Sequence, residues 1–225
     1  MRAPFWVDAR LTAIAELCGT SEVFADIGCD HGRLGAYLLH TKGCVRAIFA
    51  DISEHSLTKA RRLVAKMGFL EQSQFVVCDG ADALTEPPDA AAIAGMGGET
   101  IAGILLRGRE MLRGARIVAQ PNVDAPMLRK TMADMGYAIV EERVVRDGGR
   151  LYIVIAAEPG EAVYDNLQLT VGPILMKTRP DALYDYAQFR IRVVNKALAG
   201  MQIGGADQSQ MQNEKRIWEE VAKWR

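Results

Sequence analysis

Between Asp8 and about Glu158, short runs rich in β-branched and small apolar residues alternate with longer amphipathic stretches, and Gly or Asp marks most junctions. This alternation is what a parallel sheet covered by helices demands, because each parallel strand must be reached by a crossover. The expected strands are Val23–Asp26, Val45–Ala50, Gln74–Val77, Ala91–Ala94 and Ala115–Ala119. Helices are expected at about 8–18, 33–41, 54–68, 98–112 and 124–135.

After Gly136 the pattern changes. Tyr137–Val145 and Arg150–Ala157 are strand-like and are separated only by Arg146-Asp147-Gly148-Gly149, a hairpin connection with glycines available for positive φ. Five parallel strands closed by an antiparallel pair predict an α/β fold with the seven-stranded, Rossmann-like sheet of class I methyltransferases. Residues 159–180, with Gly160, Gly172, Pro173 and Pro180, read as a linker and packing strap. Beyond them Tyr184, Ala187, Ile191, Val194, Leu198 and Met201 keep alternating three-four spacing, which places them on one helical stripe. A Gly204-Gly205 turn and a second amphipathic stretch from about Asp207, carrying Met211, Ile217, Trp218, Val221 and Trp224, complete an expected coiled-coil helical hairpin. The expected division is a methyltransferase domain over 1–160 and a linker with helical hairpin over 161–225.

The 225 residues are 49% hydrophobic and 24% charged, which excludes an intrinsically disordered chain. No apolar run approaches the ~20 residues that span a bilayer, and Met1–Trp6 lacks the apolar core of a signal peptide, so a cytoplasmic location with no membrane partner is expected. Cys18, Cys29, Cys44 and Cys78 form no Cys-x-x-Cys pair and are not grouped with His, so free buried thiols and no metal are expected. A net charge of −1 carries no global sign of nucleic-acid binding. Oligomeric state is left open.

The chemistry concentrates where strands end. Asp26-Ile27-Gly28-Cys29-Asp30-His31-Gly32 lies between the first strand and a helix. Gly28 and Gly32 permit a tight turn and close ligand approach, but Asp26 and Asp30 would repel the pyrophosphate of a dinucleotide. An acidic loop suits S-adenosylmethionine, which has a sulfonium, an ammonium and no phosphate. Asp51, followed by Ile52, closes the second strand, and Asp79-Gly80 follows the third. Carboxylates there can accept from ribose hydroxyls and from an adenine amino group, although each can instead cap the following helix. The fourth strand ends in Gly95-Met96-Gly97-Gly98 and lacks the Asn/Asp-Pro-Pro-Tyr/Phe tetrapeptide of amino-directed adenine methylases; the fifth ends in Gln120-Pro121-Asn122. No Pro-Cys dipeptide offers a nucleophile of the cytosine-C5 type.

Taken together and in order, Asp26-Ile27-Gly28-Cys29-Asp30-His31, Ile93-Ala94-Gly95-Met96-Gly97-Gly98, Gln120-Pro121-Asn122 and Val171-Gly172-Pro173 closely resemble the bacterial tRNA adenine(22)-N1 methyltransferase family. Arg10-Leu11 and Asp147-Gly148-Gly149-Arg150-Leu151-Tyr152 extend the likeness over nearly the whole chain. Two departures are Cys29, where the family usually has Ser, and Asp8, matched to a Ser near its Arg-Leu pair. The resemblance implies methyl transfer from S-adenosylmethionine to N1 of an adenine in tRNA. The cofactor would meet Asp26, Gly28, Asp51, Ile52, Asp79, Gly80, Gly95 and Met96. Asp30, His31 and Asn122 are the catalytic candidates, with Asp30 placed to stabilise the cationic product. Arg10, Gln120, Arg190, Arg192 and Lys196 are the candidates for tRNA contact, the last three on a segment with a local excess of positive charge.

Each residue also has a structural reading: Asp30 as a loop-shaping group, His31 as a satisfied helix-start residue, Asn122 and Gln120 as loop supports, Arg10 as a surface ion pair, and the basic segment as a solvated flank. The competing functions are a methyltransferase for a small molecule and a non-catalytic binding protein on the same fold.

Overall fold

A computed structural model of the chain describes residues 7–204 and 208–224. The strands are β1 (Ser21–Ile27), β2 (Cys44–Asp51), β3 (Ser73–Val77), β4 (Ala90–Met96), β5 (Arg116–Pro121), β6 (Tyr137–Asp147) and β7 (Arg150–Pro159). They form one sheet in the order β3-β2-β1-β4-β5-β7-β6, with β7 antiparallel to β5 and β6. This is the expected seven-stranded class I sheet. The chain runs outward from β1 to β3, then returns to place β4 on the other side of β1, so a crevice opens beyond the carboxyl ends of β1 and β4.

Side chains alternate across the sheet because the strand period is two. Phe24, Ala47 and Phe49 face α1 (Ala9–Cys18), α2 (Arg33–Thr41) and α3 (Glu54–Lys66), whose Ile14, Leu17, Leu34, Leu38, Leu57 and Ala60 fill that core. Ala25, Ile27, Ile48 and Ile93 face α4 (Gly98–Arg107) and α5 (Ala125–Asp134), with Ile101, Leu105, Leu128 and Met132 beneath them. The helix expected to reach residue 112 stops at Arg107, and Leu112 is buried from the turn that follows.

Residues 159–180, expected as a linker, contain two short helices, α6 (Asn166–Val171) and α7 (Pro173–Thr178). A capping box starts the first: Asp165 Oδ1 accepts from Gln168 N at 2.8 Å, and Gln168 Oε1 accepts from Asp165 N at 3.0 Å. The strap is clamped to the sheet by Arg129 of α5 and Glu142 of β6, both almost fully buried. Arg129 donates from Nε to Glu142 Oε1 at 2.8 Å, from Nη1 to Leu169 O at 2.7 Å and from Nη2 to Val171 O at 3.3 Å. Glu142 Oε2 accepts from Ile174 N at 3.0 Å. The glycine of Val171-Gly172-Pro173 belongs to this clamp: its φ is +113°, and a Cβ there would stand 2.4 Å from Glu142 Oε2.

The hairpin helices are α8 (Asp181–Gly204) and α9 (Ser209–Val221). Tyr186 meets Trp218 edge-on at 5.5 Å between centroids, and Arg190 Nη2 meets Glu214 Oε1 at 2.5 Å, so the two helices run antiparallel. Their buried Leu183, Ala187, Trp218 and Val221 continue the core beneath α4 and α5. The expected turn reaches Gly205, which lies outside the described residues, as does Asp207. No helix among the described residues is long and apolar enough to cross a membrane.

Candidate active site

The acidic loop after β1 is built by backbone geometry that its sequence permits. Gly28 takes φ +69°, a left-handed conformation that favours glycine, and the Met96 side chain at the tip of β4 packs over it, with Cε 2.0 Å from where a Cβ would stand. Asp30 is also left-handed, at φ 48°. That conformation is held from the next strand, because Asp30 N donates to Asp51 Oδ2 at 2.9 Å while Asp51 Oδ1 accepts from Ser53 N at 2.8 Å. Asp51 thus organises the loop while its half-buried carboxylate keeps further lone pairs at the strand end.

Asp26 sits beneath the loop, buried, with Oδ2 accepting from Gly35 N at 3.0 Å. Burial raises its pKa to about 7; the Gly35 hydrogen bond opposes the rise, and the charges of Asp51 and Asp30 add to it. Asp30 itself is exposed, with Oδ2 at 3.2 Å from His31 Nδ1. The thiol of Cys29 is buried, and burial followed by the Asp26 charge pushes its pKa far above the ordinary thiol value. It is a neutral packing group.

Across the crevice, four residues form a continuous hydrogen-bonded relay. Arg10 Nη1 donates to Gln120 Oε1 at 2.7 Å, Gln120 Nε2 donates to Asn122 Oδ1 at 3.1 Å, and Asn122 Nδ2 donates to Gly95 O at 2.7 Å. Asn122 N also donates to Met96 O at 2.7 Å, which ties the ends of β4 and β5 together. The guanidinium of Arg10 lies 5.6 Å over the Tyr152 ring. Asp8, at the second departure from the family pattern, caps α1 through Oδ1, which accepts from Leu11 N at 2.7 Å; a serine there can serve the same purpose.

These groups enclose a cavity of about 400 Å³ lined by Asp8, Arg10, Asp26, Gly28, Cys29, Asp30, His31, Arg33, Gly95 and Met96, among others. Its walls are acidic on the β1 side and carry two arginines, the donor set that a ligand with a cationic centre and a carboxylate requires. S-adenosylmethionine is such a ligand, and the glycine-lined approach at Gly28 fits it. No cluster of metal-ligating side chains occurs among the described residues.

The sequence profile of the tRNA (adenine(22)-N(1))-methyltransferase family matches residues 24–224. A Bacillus subtilis tRNA (adenine(22)-N(1))-methyltransferase is 35% identical over 178 residues, spanning 76% of this chain and 75% of that relative. The chain belongs to this family. The crystal structure of the B. subtilis m1A22 tRNA methyltransferase superposes with a TM-score of 0.84 at 27% identity, over 98% of this chain and 100% of that one. A Streptococcus pneumoniae protein described as a candidate tRNA (m1A22) methyltransferase, solved in complex with S-adenosyl-L-methionine, gives 0.84 at 26% identity, over 95% of this chain and 98% of that one.

Within the family's frame, the expected residues divide. Asp26, Gly28, Asp30, His31, Gly95, Met96 and Arg10 share one cavity, and Asn122 joins it through Gly95. Asp51 touches the loop but not the cavity. Ile52 is exposed, Asp79 is exposed after β3 with Oδ1 3.4 Å from Arg107 Nη2, and Gly80 is buried; none of the three lines the cavity. Two of the substrate candidates are engaged within the protein. Gln120 is wholly buried and its amide is engaged on both sides, so it orients Arg10 and Asn122 and offers no face to a base. Arg190 is spent on Glu214 between the hairpin helices, so it is not free for a phosphate; Arg192 and Lys196 remain exposed. Arg33 and Asp8 also line the cavity, where the sequence alone gives no signal for them. Arg33 opens the helix after the acidic loop, a position whose side chain can turn back toward the ligand.

Proposed function

We propose that this protein transfers the methyl group of S-adenosylmethionine to N1 of adenine 22 in tRNA. The observation that carries the reading is the acidic, glycine-approached cavity at the ends of β1 and β4, joined through Asn122 to the β5 tip, in a chain of the tRNA (adenine(22)-N(1))-methyltransferase family. When bound, S-adenosylmethionine supplies an electrophilic methyl carbon whose bond to sulfur breaks with the electron pair passing to sulfur.

The adenine N1 lone pair attacks without deprotonation, so the protein needs no strong base. Its task is to align N1 and to favour positive charge as it moves from sulfur to the ring. Asp30, exposed at the mouth and beside His31, supplies that negative field. Asp26 supplies a second carboxylate beneath the loop. Asp51 holds Asp30 in place and would receive hydroxyl donors of a cofactor that extends past the cavity to the end of β2, with Asp79 at the next strand end. Asn122 retains one amide hydrogen and one lone-pair site beyond the relay, enough to contact the Watson–Crick edge of the base. Residues 1–160 act as the methyl-transfer unit, and residues 161–225 serve substrate engagement. A tRNA substrate is in keeping with a cytoplasmic location.

Incubating the protein with labelled S-adenosylmethionine and unmodified bulk tRNA tests the substrate class. Label in the RNA supports the reading, whereas label only in small molecules overturns it.

A further inference from the structure

A second concavity, of about 620 Å³, adjoins the cofactor cavity at Asn122, which lines it while donating to Gly95 on the cavity wall. One wall is the β6–β7 hairpin tip with Arg146, Arg150 and Tyr152; the other is α8 with Tyr186, Phe189 and Arg192. Most of the charge there is already matched. Arg129 is buried in the clamp with Glu142, Arg146 Nη2 lies 2.8 Å from Asp185 Oδ2, and Arg190 lies 2.5 Å from Glu214. Arg150 and Arg192 are exposed, line the groove from opposite walls, and make no ion pair among the described residues. The acids lining the groove are Glu214, paired with Arg190, and Asp124.

We propose that this groove holds the RNA strand flanking the target adenine, with phosphodiesters at Arg150 and Arg192 and a neighbouring base against Tyr152 or Phe189. The inference rests on tRNA being the substrate. The groove begins where the target base must enter, so the strand on one side of that base has to leave along it. Two unmatched guanidinium groups flanking aromatic rings suit the alternation of phosphates and flat bases in a single strand. Arginine serves here better than lysine because its planar fork binds phosphate oxygens bidentately. The groove would therefore supply register to the target base, and Asn122 at its inner end would mark where the strand turns into the cavity.

The test is the pair Arg150→Ala/Arg192→Ala in the full chain, with Arg109→Ala/Arg113→Ala as a control of equal charge change on the turn after α4. Filter binding of unmodified tRNA at several salt concentrations and calorimetry with S-adenosylmethionine are the readouts. The groove variant is expected to bind tRNA about tenfold or more weakly, with a salt slope lower by about two units, one per lost phosphate contact. The control should keep its slope, and both should keep cofactor affinity. An unchanged slope in the groove variant, or an equal loss in the control, overturns the inference. So does a change in sedimentation coefficient without a change in tRNA binding, which would make the groove a contact between copies. Failure of the unaltered protein to methylate tRNA would strike the proposed function instead, so the two failures are distinguishable.

Discussion

Removing Arg129 should unfasten the strap from the sheet. Its side chain is 1% exposed and that of Glu142 is 0% exposed, so neither charge has water to fall back on. Arg129→Met keeps most of the stem volume but removes the 2.8 Å ion pair and the donors to Leu169, Thr170 and Val171 carbonyls, leaving a carboxylate buried without its countercharge. Breaking one side of such a pair costs about 3–5 kcal/mol, a large share of the roughly 5–15 kcal/mol that holds a typical domain together. Glu142→Gln should cost a similar amount, because it strands the guanidinium instead. The double variant Arg129→Met/Glu142→Gln should cost less than the sum of the singles, with a coupling of about 2 kcal/mol or more, since it strands neither charge. Urea unfolding followed by circular dichroism measures the three losses. Hydrogen exchange should show the amides of Ile174 and Leu175 losing protection first, because Glu142 Oε2 is their acceptor. Single variants that each cost under about 1 kcal/mol, or strict additivity in the double, would refute the clamp.

Further outcomes follow from the carboxylates at the strand ends. Asp30→Asn should lower the single-turnover methyl-transfer rate by about 10- to 1000-fold while leaving cofactor affinity nearly intact, and an equal loss in both would make Asp30 a binding residue only. Asp51→Ala should weaken cofactor binding by about 1.5–3 kcal/mol in calorimetry and also loosen the loop held at Asp30 N; unchanged affinity in a folded variant would remove Asp51 from the site. Because burial lifts Asp26 to about 7, the ligand-free protein binds a proton that the unfolded chain has already released, so this residue's contribution to stability falls as pH rises from about 4 through 7. Affinity for the cationic cofactor should rise over pH 6 to 8 as Asp26 ionises, and Asp26→Asn should flatten that rise.

The number of strands and their parallel or antiparallel sense are legible in the sequence because they are written in local terms: apolar runs of the right length, acidic or glycine ends, and a hairpin with two glycines. The loop after β1 is legible for the same reason. What sequence reading misses is set by long-range pairing. Arg129 looks like one polar position on an amphipathic helix, and nothing local reveals that Glu142 and three strap carbonyls converge on it. Arg190 and Glu214 are far apart in sequence and meet only because the hairpin folds back. Gln120 sits at a strand end, where amides are free to face a ligand, yet Arg10 from the first helix claims it. Gly172, Pro173 and Pro180 read as chain breakers and hid two helices. The Asp165-x-x-Gln168 capping box and the proline at the first turn of α7 were the signals that could have found them.

The most direct test of the account is to map the methylated nucleotide after reaction of a defined tRNA transcript with S-adenosylmethionine. Nuclease digestion with mass spectrometry, together with primer extension, which stops at a methylated Watson–Crick edge, should place one methyl at N1 of adenine 22 and none in a transcript carrying guanine there. Methylation at another position, at an exocyclic amine, or equally in the guanine transcript would contradict the assignment.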